Sequence, residues 1–161
     1  MFAGPNGSGK STIKSVVPPE LLGVYVNPDE IEKEIRRYDF LDLRIYGVET
    51  TREEIFGYRT YLYFIATEDP EINIARVKSR VQLGGHDVPV DKIVSRYARS
   101  LDLLLPAIRQ SNRAYLFDNS CHGSESLWVA EITDGCDLET KCSPVPIWFE
   151  RAVWDKINPT A

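Results

Sequence analysis

Gly4 to Ser11 read GPNGSGKS and fit the pattern G-x-x-x-x-G-K-[ST]. A phosphate-binding loop needs glycines because several consecutive backbone N–H groups must turn inward around the anion, where side chains would obstruct them. Lys10 is expected to reach the β- and γ-phosphates of a nucleotide, and the Ser11 hydroxyl to bind Mg²⁺. The alternative is a glycine-rich surface turn. The predicted nucleotide-binding residues of the loop are Gly4, Pro5, Asn6, Gly7, Ser8, Gly9, Lys10, Ser11 and Thr12.

Length and composition favour one globular domain over residues 1–161. Of the 161 residues, 43% are hydrophobic and 27% charged, which is enough for one substantial core. No apolar run approaches the roughly 20 residues that span a bilayer, and the three residues before Gly4 are too few for a secretory signal. The three cysteines form no CxxC pair, as expected where thiols stay reduced. We therefore expect a cytoplasmic protein with no membrane partner.

Charge is unevenly distributed along the chain. The net charge is -5, yet residues 76–113 carry eight basic and three acidic side chains, so this segment is positive and the remainder is strongly acidic. A local positive zone in an acidic protein favours a small anionic ligand over a nucleic acid. Solvated helix faces would explain part of the same pattern.

Leu22 to Val26 are predicted to form a buried strand, and the residues that follow start a helix. Asn27 can cap that helix, Pro28 suits its first position, and Asp29 lies in its first turn. One interpretation of Asp29 is an acid that complements the helix dipole. The other places its carboxylate at the carboxyl end of a parallel strand, where it could accept a proton from an attacking hydroxyl as general base.

A second strand-to-helix unit carries the arginines of the positive segment. Tyr61 to Ala66 are aromatic and β-branched enough for a buried strand, Asp69-Pro70 begin a helix, and Gly84-Gly85 end it. A longer helix follows, which Pro106 should kink or end near Leu105. Four arginines would face a shared region and could stabilise a transferring phosphoryl group, the alternative being that they are solvated helix faces. They are Arg76, Arg80, Arg96 and Arg99.

The last third of the chain predicts another strand, a hairpin and a helix. The strand AYLFDNS ends at Asp118 and Asn119, which could line the nucleotide base, hold Mg²⁺ through water, or form an Asx turn. Asp134-Gly135 indicate the turn of a hairpin. A terminal amphipathic helix begins after Pro146, with Trp148 and Trp154 expected in the core. Neither lone histidine is accompanied by a cluster of metal ligands.

Taken together, the loop GPNGSGKS, NPDEI, the run RVKSRVQLGGHDVPVDKIVSRYARS and FDNS resemble the zeta-toxin-like branch of P-loop kinases. The resemblance covers most of the chain. It implies an α/β fold of the P-loop NTPase (Rossmann-like) kinase type, with a parallel sheet flanked by helices and a C-terminal β-hairpin plus helix. It also implies phosphorylation of a small-molecule hydroxyl by ATP with Mg²⁺, which in characterised members is that of UDP-N-acetylglucosamine, and an antitoxin protein as a partner.

The resemblance assigns roles to particular residues. Lys10 and Ser11 would hold the triphosphate and Mg²⁺, Asp29 would activate the acceptor hydroxyl, and Arg80 and Arg96 would clamp the phosphates. Glu49-Thr50-Thr51 resemble the family's acceptor-binding strand end, but their flanking residues do not match, so that role is not carried over. A nucleotide-binding ATPase or regulatory module without an acceptor is the alternative function.

Two parts of the chain look shorter than this fold requires. Parallel strands need a crossover of a dozen or more residues, and the chain between RIYGV and YRTYLYF offers only ETTREEIFG. We therefore expect residues to be missing near Phe56-Gly57. Only Phe2 and Ala3 remain of the apolar strand expected before the loop, so we expect that strand to be shortened as well.

Overall fold

A computed structural model describes residues 1–10, 37, 59–121 and 126–157. The chain divides into two compact units, one made of residues 1–14 and 59–161 and the other of residues 15–58. The strands and helices named below all belong to the first unit. Several sequence predictions fall outside the described residues, namely those on Ser11, Thr12, Leu22–Val26, Asp29, Glu49-Thr50-Thr51 and Phe56-Gly57.

One five-stranded sheet organises the first unit, with its strands in chain order across the sheet. The three strands β1, β2 and β3 pair in parallel, and β3, β4 and β5 pair antiparallel. The strands are β1 (Phe2–Ala3), β2 (Tyr61–Ala66), β3 (Arg113–Asp118), β4 (Leu127–Thr133) and β5 (Asp137–Thr140).

The α/β class is confirmed, but the prediction of a parallel sheet is wrong for its C-terminal half. Because β4 follows β3 after only residues 119–126, the chain has no room for a crossover helix, and β4 returns antiparallel. The predicted hairpin continues the same sheet through β4 and β5. Asp134 (φ 49°) and Gly135 (φ 71°) form its turn, as the Asp-Gly pair predicts.

Three helices connect β2 to β3, and local sequence signals account for their ends. They are α1 (Pro70–Gln82), α2 (Val90–Asp102) and α3 (Leu104–Arg109). The Asp69 carboxylate accepts a hydrogen bond from the backbone N–H of Glu71 at 2.8 Å and caps α1. After α1 the chain turns at Gly84 (φ 86°), and the N–H of Gly85 donates to the Arg80 carbonyl at 2.9 Å.

Pro106 affects the helix earlier than the sequence predicts. The break between α2 and α3 falls at Leu103, and Pro106 lies in the first turn of α3. A proline inside a helix deprives the carbonyl four residues earlier of its donor, here that of Asp102, whereas a proline in a first turn removes no intrahelical bond. Ending α2 at Asp102 therefore accommodates the proline better than the predicted break near Leu105.

The main core lies between the sheet and the helical segments α3 and 147–157. That terminal segment consists of α4 (Ile147–Phe149), a π-helical stretch (Glu150–Trp154) and α5 (Asp155–Ile157). Phe149 and Ile108 are completely buried against Leu62 and Leu116 of the sheet. Trp148 lies in this core as predicted, but Trp154 is 40% exposed, so its assignment to the core is wrong. A smaller cluster of Ile74, Val77 and Ile93 joins α1 to α2.

Candidate functional site

The glycine loop follows β1 directly, at the carboxyl end of the parallel strands β1 and β2. Gly4, Gly7 and Gly9 have φ of 136°, 80° and 93°, values that side-chain-bearing residues rarely adopt. A Cβ on Gly4 would lie 2.0 Å from the carbonyl oxygen of Ile65, and one on Gly7 would lie 2.9 Å from that of Asn73. These two glycines are therefore required both by backbone conformation and by the close approach of β2 and α1.

Lys10 reaches back across the loop. Its Nζ donates hydrogen bonds to the carbonyl oxygens of Gly4 and Pro5, both at 2.8 Å. The backbone N–H of Ser8 also donates to the Pro5 carbonyl, at 3.3 Å. The ammonium group consequently lies over the first residues of the loop, and the loop closes into a compact turn.

Two asparagine side chains hold the loop from outside. Asn73 in the first turn of α1 donates from Nδ2 to the carbonyl oxygen of Asn6 at 2.6 Å. Asn119, which follows β3, donates from Nδ2 to the carbonyl oxygen of Ser8 at 2.8 Å. Each asparagine thus donates to one carbonyl of the loop, and the two residues that carry these carbonyls are separated only by Gly7.

Asn73 is itself held in a buried hydrogen-bonded chain. Its side chain is completely buried, and its Oδ1 accepts a short hydrogen bond from the hydroxyl of Thr67. The carbonyl of Thr67 accepts a hydrogen bond from the Tyr97 hydroxyl at 2.8 Å. The carbonyl of Asn6 only accepts hydrogen bonds, so it sets the orientation of the Asn73 amide with the nitrogen facing Asn6, and the Thr67 hydroxyl donates to the oxygen on the other side.

Two buried polar atoms have no partner among the described residues. They are the hydroxyl oxygen of Ser8, a loop residue with no exposed surface, and Nη1 of Arg76. Nη2 of Arg76 donates to the carbonyl of Cys121 at 3.3 Å, shortly after β3. Buried donors without partners are costly, and in native proteins they often mark the place of an ordered water, ion or ligand.

Asp118 forms the Asx turn that was one of its three predicted roles. Its Oδ1 accepts from the backbone N–H of Ser120 at 2.8 Å, and its Oδ2 accepts from the Ser120 hydroxyl at 3.0 Å. Oδ2 also accepts from Nε1 of buried Trp148 at 2.7 Å. Both carboxylate oxygens are therefore occupied within the protein, and the adjoining Asn119 contacts the loop.

The predicted arginines have different partners. Arg76 is half-buried and contacts the chain just after β3, as described above, whereas Nη2 of exposed Arg80 donates to the carbonyl of His86 at 3.1 Å. Arg96 and Arg99 are exposed on α2. Of these four arginines, Arg76 alone has a hydrogen bond to the segment after β3 within the described residues. The same segment contains Asn119, which donates to the loop.

A cavity of about 480 Å³ lies between α2 and the terminal helical segment. Glu68 and Tyr97 line it, together with Leu101, Trp148 and Arg151. Burial, reinforced by the nearby carboxylates of Glu68, Asp69 and Asp118, raises the pKa of Tyr97 to about 12. Its hydroxyl therefore stays protonated and donates to the carbonyls of Thr67 and Glu68, at 2.8 and 3.1 Å.

Within the described ranges, no group of three or more His, Cys, Asp or Glu side chains is arranged to hold a metal ion. In that same part of the chain no helix is long and apolar enough to cross a membrane. Ser11, the predicted Mg²⁺ ligand, lies outside it.

Comparison with known proteins shows a similarity to an uncharacterized protein of Haemophilus influenzae. The two chains are 28% identical over 127 residues, and the alignment covers 60% of this chain and 89% of the relative. No family model matches the chain. No solved structure matches it either.

Sequence analysis missed Asn73 as a residue of the site. It lies in the run EINIARV, where its spacing from Ile74 and Val77 marks only the buried face of an amphipathic helix. An asparagine on such a face is a signal in itself, because a buried amide must find hydrogen-bond partners. The sequence does not reveal that one of those partners is Asn6, which lies 67 residues earlier.

Proposed function

We propose that this protein is an ATP-binding P-loop kinase of the zeta-toxin type, which transfers the γ-phosphate of ATP to the hydroxyl of a small molecule. The observation that carries the proposal is the loop at residues 4–10, where three glycines adopt positive φ and the Lys10 ammonium reaches across the turn. Such loops bind phosphate through backbone N–H groups that converge on the anion. Its position after β1, beside two parallel strands, suits a P-loop NTPase fold.

The loop residues fit a nucleotide triphosphate chemically. Side chains on Gly4 or Gly7 would collide with β2 or α1, so glycines at these positions allow the loop to pack closely against both elements. The ammonium group of Lys10, which lies over the first residues of the loop, is a cationic donor of the kind that phosphate oxygens accept. Gly4 to Thr12 would hold the phosphates, and the Ser11 hydroxyl would bind the accompanying Mg²⁺, which neutralises phosphate charge when it is bound.

The proposed reaction assigns one task to each remaining residue. The Asp29 carboxylate accepts the proton of the acceptor hydroxyl as that oxygen bonds to the γ-phosphorus and the bond between this phosphorus and the β–γ bridging oxygen breaks. Arg80 and Arg96 would stabilise the charge on the transferring group. In the structure Nη2 of Arg80 donates to the His86 carbonyl, and the guanidinium has further N–H donors for a phosphate.

The acceptor and the protein partner are proposed from the resemblance alone. UDP-N-acetylglucosamine or another nucleotide sugar is the proposed acceptor, and an antitoxin protein is a proposed partner. We propose a cytoplasmic location, where ATP is available and where the three cysteines, which form no disulfide in this structure, would remain reduced thiols.

A second candidate is a nucleotide-binding ATPase or regulatory module that has no acceptor. It is favoured by the contact of Arg80 with the His86 carbonyl and by the exposure of Arg96 on α2. Neither guanidinium contacts residues 4–10, the part of the loop that the structure describes. In that case the loop would bind nucleotide without passing its phosphate to another molecule.

One assay separates these functions. The protein is incubated with Mg²⁺ and ATP labelled at the γ-phosphate, together with a panel of UDP-sugars and nucleosides, and Lys10→Ala serves as the control. The kinase proposal predicts a labelled acceptor with wild type and none with Lys10→Ala, and Asp29→Asn should bind ATP normally but lose turnover. Lys10-dependent release of phosphate without a labelled acceptor would support the ATPase, and the absence of any Lys10-dependent product would overturn the kinase.

A further inference from the structure

We propose that Asn73 and Asn119 are positioning residues that aim the N–H groups of Gly7 and Gly9 at the phosphate. This inference rests on the proposed function of the loop. Neither asparagine needs to contact the nucleotide, because each acts through a carbonyl of the loop. Two neighbouring hydrogen bonds carry the proposal. The Asn73 carboxamide donates to the Asn6 carbonyl at 2.6 Å, and the Asn119 carboxamide donates to the Ser8 carbonyl at 2.8 Å.

Peptide geometry links these contacts to the inner surface of the loop. In a trans peptide the C=O and the following N–H share one plane and point in opposite directions. A donor that holds the Asn6 carbonyl outward therefore directs the Gly7 N–H inward, and a donor on the Ser8 carbonyl does the same for Gly9. Glycine rotates freely about both backbone dihedrals, so without such contacts these two N–H groups would have many orientations.

The two asparagines come from separate elements, so the loop is held from two sides. Asn73 belongs to α1 and Asn119 follows β3. The backbone N–H of Asn119 donates to the carbonyl of Ala66 at 2.8 Å, which ties this residue to the end of β2. Both anchors thus lie outside the loop, one on a helix and the other directly after a strand, and a site held by rigid elements is more precise than one held by loops.

The hydrogen-bonded chain behind Asn73 extends the effect to α2. Tyr97 on α2 donates to the carbonyl of Thr67, and the hydroxyl of Thr67 donates to Asn73. Every member of this chain is buried. A flip of the Asn73 amide would place Oδ1 against the Asn6 carbonyl and lose that hydrogen bond, so the orientation in which Nδ2 faces Asn6 is favoured.

Isosteric acids provide the sharpest test. Asn73→Asp and Asn119→Asp each replace the donor nitrogen by an oxygen, which repels the loop carbonyl when the carboxyl group is ionised. Equilibrium binding of ADP and of ATP with Mg²⁺ is measured for wild type and both variants at about pH 9, because burial raises the pKa of a carboxyl group at position 73 above the usual value of an aspartate. We expect each variant to bind at least about tenfold more weakly than wild type, because a hydrogen bond is lost and a repulsion is gained. Asn112→Asp is the matched control, since Asn112 accepts a hydrogen bond from the N–H of Thr60 away from the loop.

The pH dependence of binding distinguishes positioning from general damage. A protonated aspartic acid can donate to the loop carbonyl again, so the affinity of Asn73→Asp relative to wild type should recover as the pH falls through the pKa of the new carboxyl group. Asn73→Ala cannot donate at any pH and should show no recovery. Equal affinity ratios for the two variants at every pH would overturn the role of Asn73 as a donor.

A measurement without nucleotide tests the geometry directly. In the ligand-free protein, Asn73→Ala should shift the backbone N–H resonance of Gly7 more than that of Gly9, and Asn119→Ala should do the reverse. Each variant is the control of the other. Failure of wild type to bind nucleotide would refute the proposed function, whereas normal binding by both aspartate variants would refute this inference alone.

Discussion

The glycine loop and the arginine-bearing helices both belong to the predicted phosphate site, yet they are held very differently. The loop at 4–10 is fixed by hydrogen bonds from Lys10, Asn73 and Asn119 to its own carbonyls. Arg96 and Arg99 are exposed on α2, and Arg80 donates to a neighbouring carbonyl. The binding half of the site is thus formed in advance, whereas the charge-stabilising half would be completed when a ligand binds.

The difference has a physical reason. A loop that binds phosphate through N–H groups must have those groups ordered before or during binding, and ordering in advance raises affinity. Arginines that stabilise the transferring group contribute most if they engage when its charge is present. The comparison therefore predicts that substitutions in the loop region change folding or affinity, and that substitutions in the arginines change turnover.

Gly4→Ala should have the largest effect on folding. Its methyl group would lie 2.0 Å from the Ile65 carbonyl in a backbone with φ of 136°, so we expect the free energy of unfolding to fall by about 3 kcal/mol or more. Gly84→Ala is the control, because Gly84 also has a positive φ but open space around it, and it should cost about 1 kcal/mol. Urea denaturation measures both, and equal losses would show that the loop is not tightly packed against β2.

Arg96→Ala should lower kcat by about 10- to 100-fold while leaving the affinity for ATP within about threefold of wild type. The side chain is exposed, so the free energy of unfolding should change by less than about 0.5 kcal/mol. Arg109→Ala, an exposed arginine at the end of α3, is the matched control and should change neither quantity. Loss of ATP affinity without loss of kcat would place Arg96 in the preformed part of the site.

Tyr97 should produce the smallest effect, and the size of that effect should change only at high pH. Its pKa is raised to about 12 in the folded protein from about 10 when unfolded, so folding favours the protonated hydroxyl. Its contribution to stability is complete below about pH 10 and is lost as the pH rises towards about 12. The difference in free energy of unfolding between wild type and Tyr97→Phe should therefore shrink over that window, and a difference that stays constant across it would contradict the assignment.

Local signals in the sequence predict much of the fold but few of the contacts that build the site. The strand at Tyr61–Ala66, the cap at Asp69 and the turn at Asp134-Gly135 are confirmed, because each depends on neighbouring residues. The pairing of β4 with β3 is not encoded in local patterns, but once the two strands are neighbours the short connection of residues 119–126 requires them to be antiparallel. The two asparagine contacts join residues 67 and 111 positions apart, beyond the reach of periodicity or motif spacing.

The most direct test of the central claim is a calorimetric titration of the folded protein with ATP and Mg²⁺, for wild type and Lys10→Ala side by side. Lys10 reaches the carbonyls of Gly4 and Pro5 across the loop, where its ammonium would meet the phosphates. We predict saturable binding of one nucleotide by wild type and affinity weakened at least about tenfold in Lys10→Ala. Absence of binding by folded wild type, or equal affinity of the two proteins, would contradict the account.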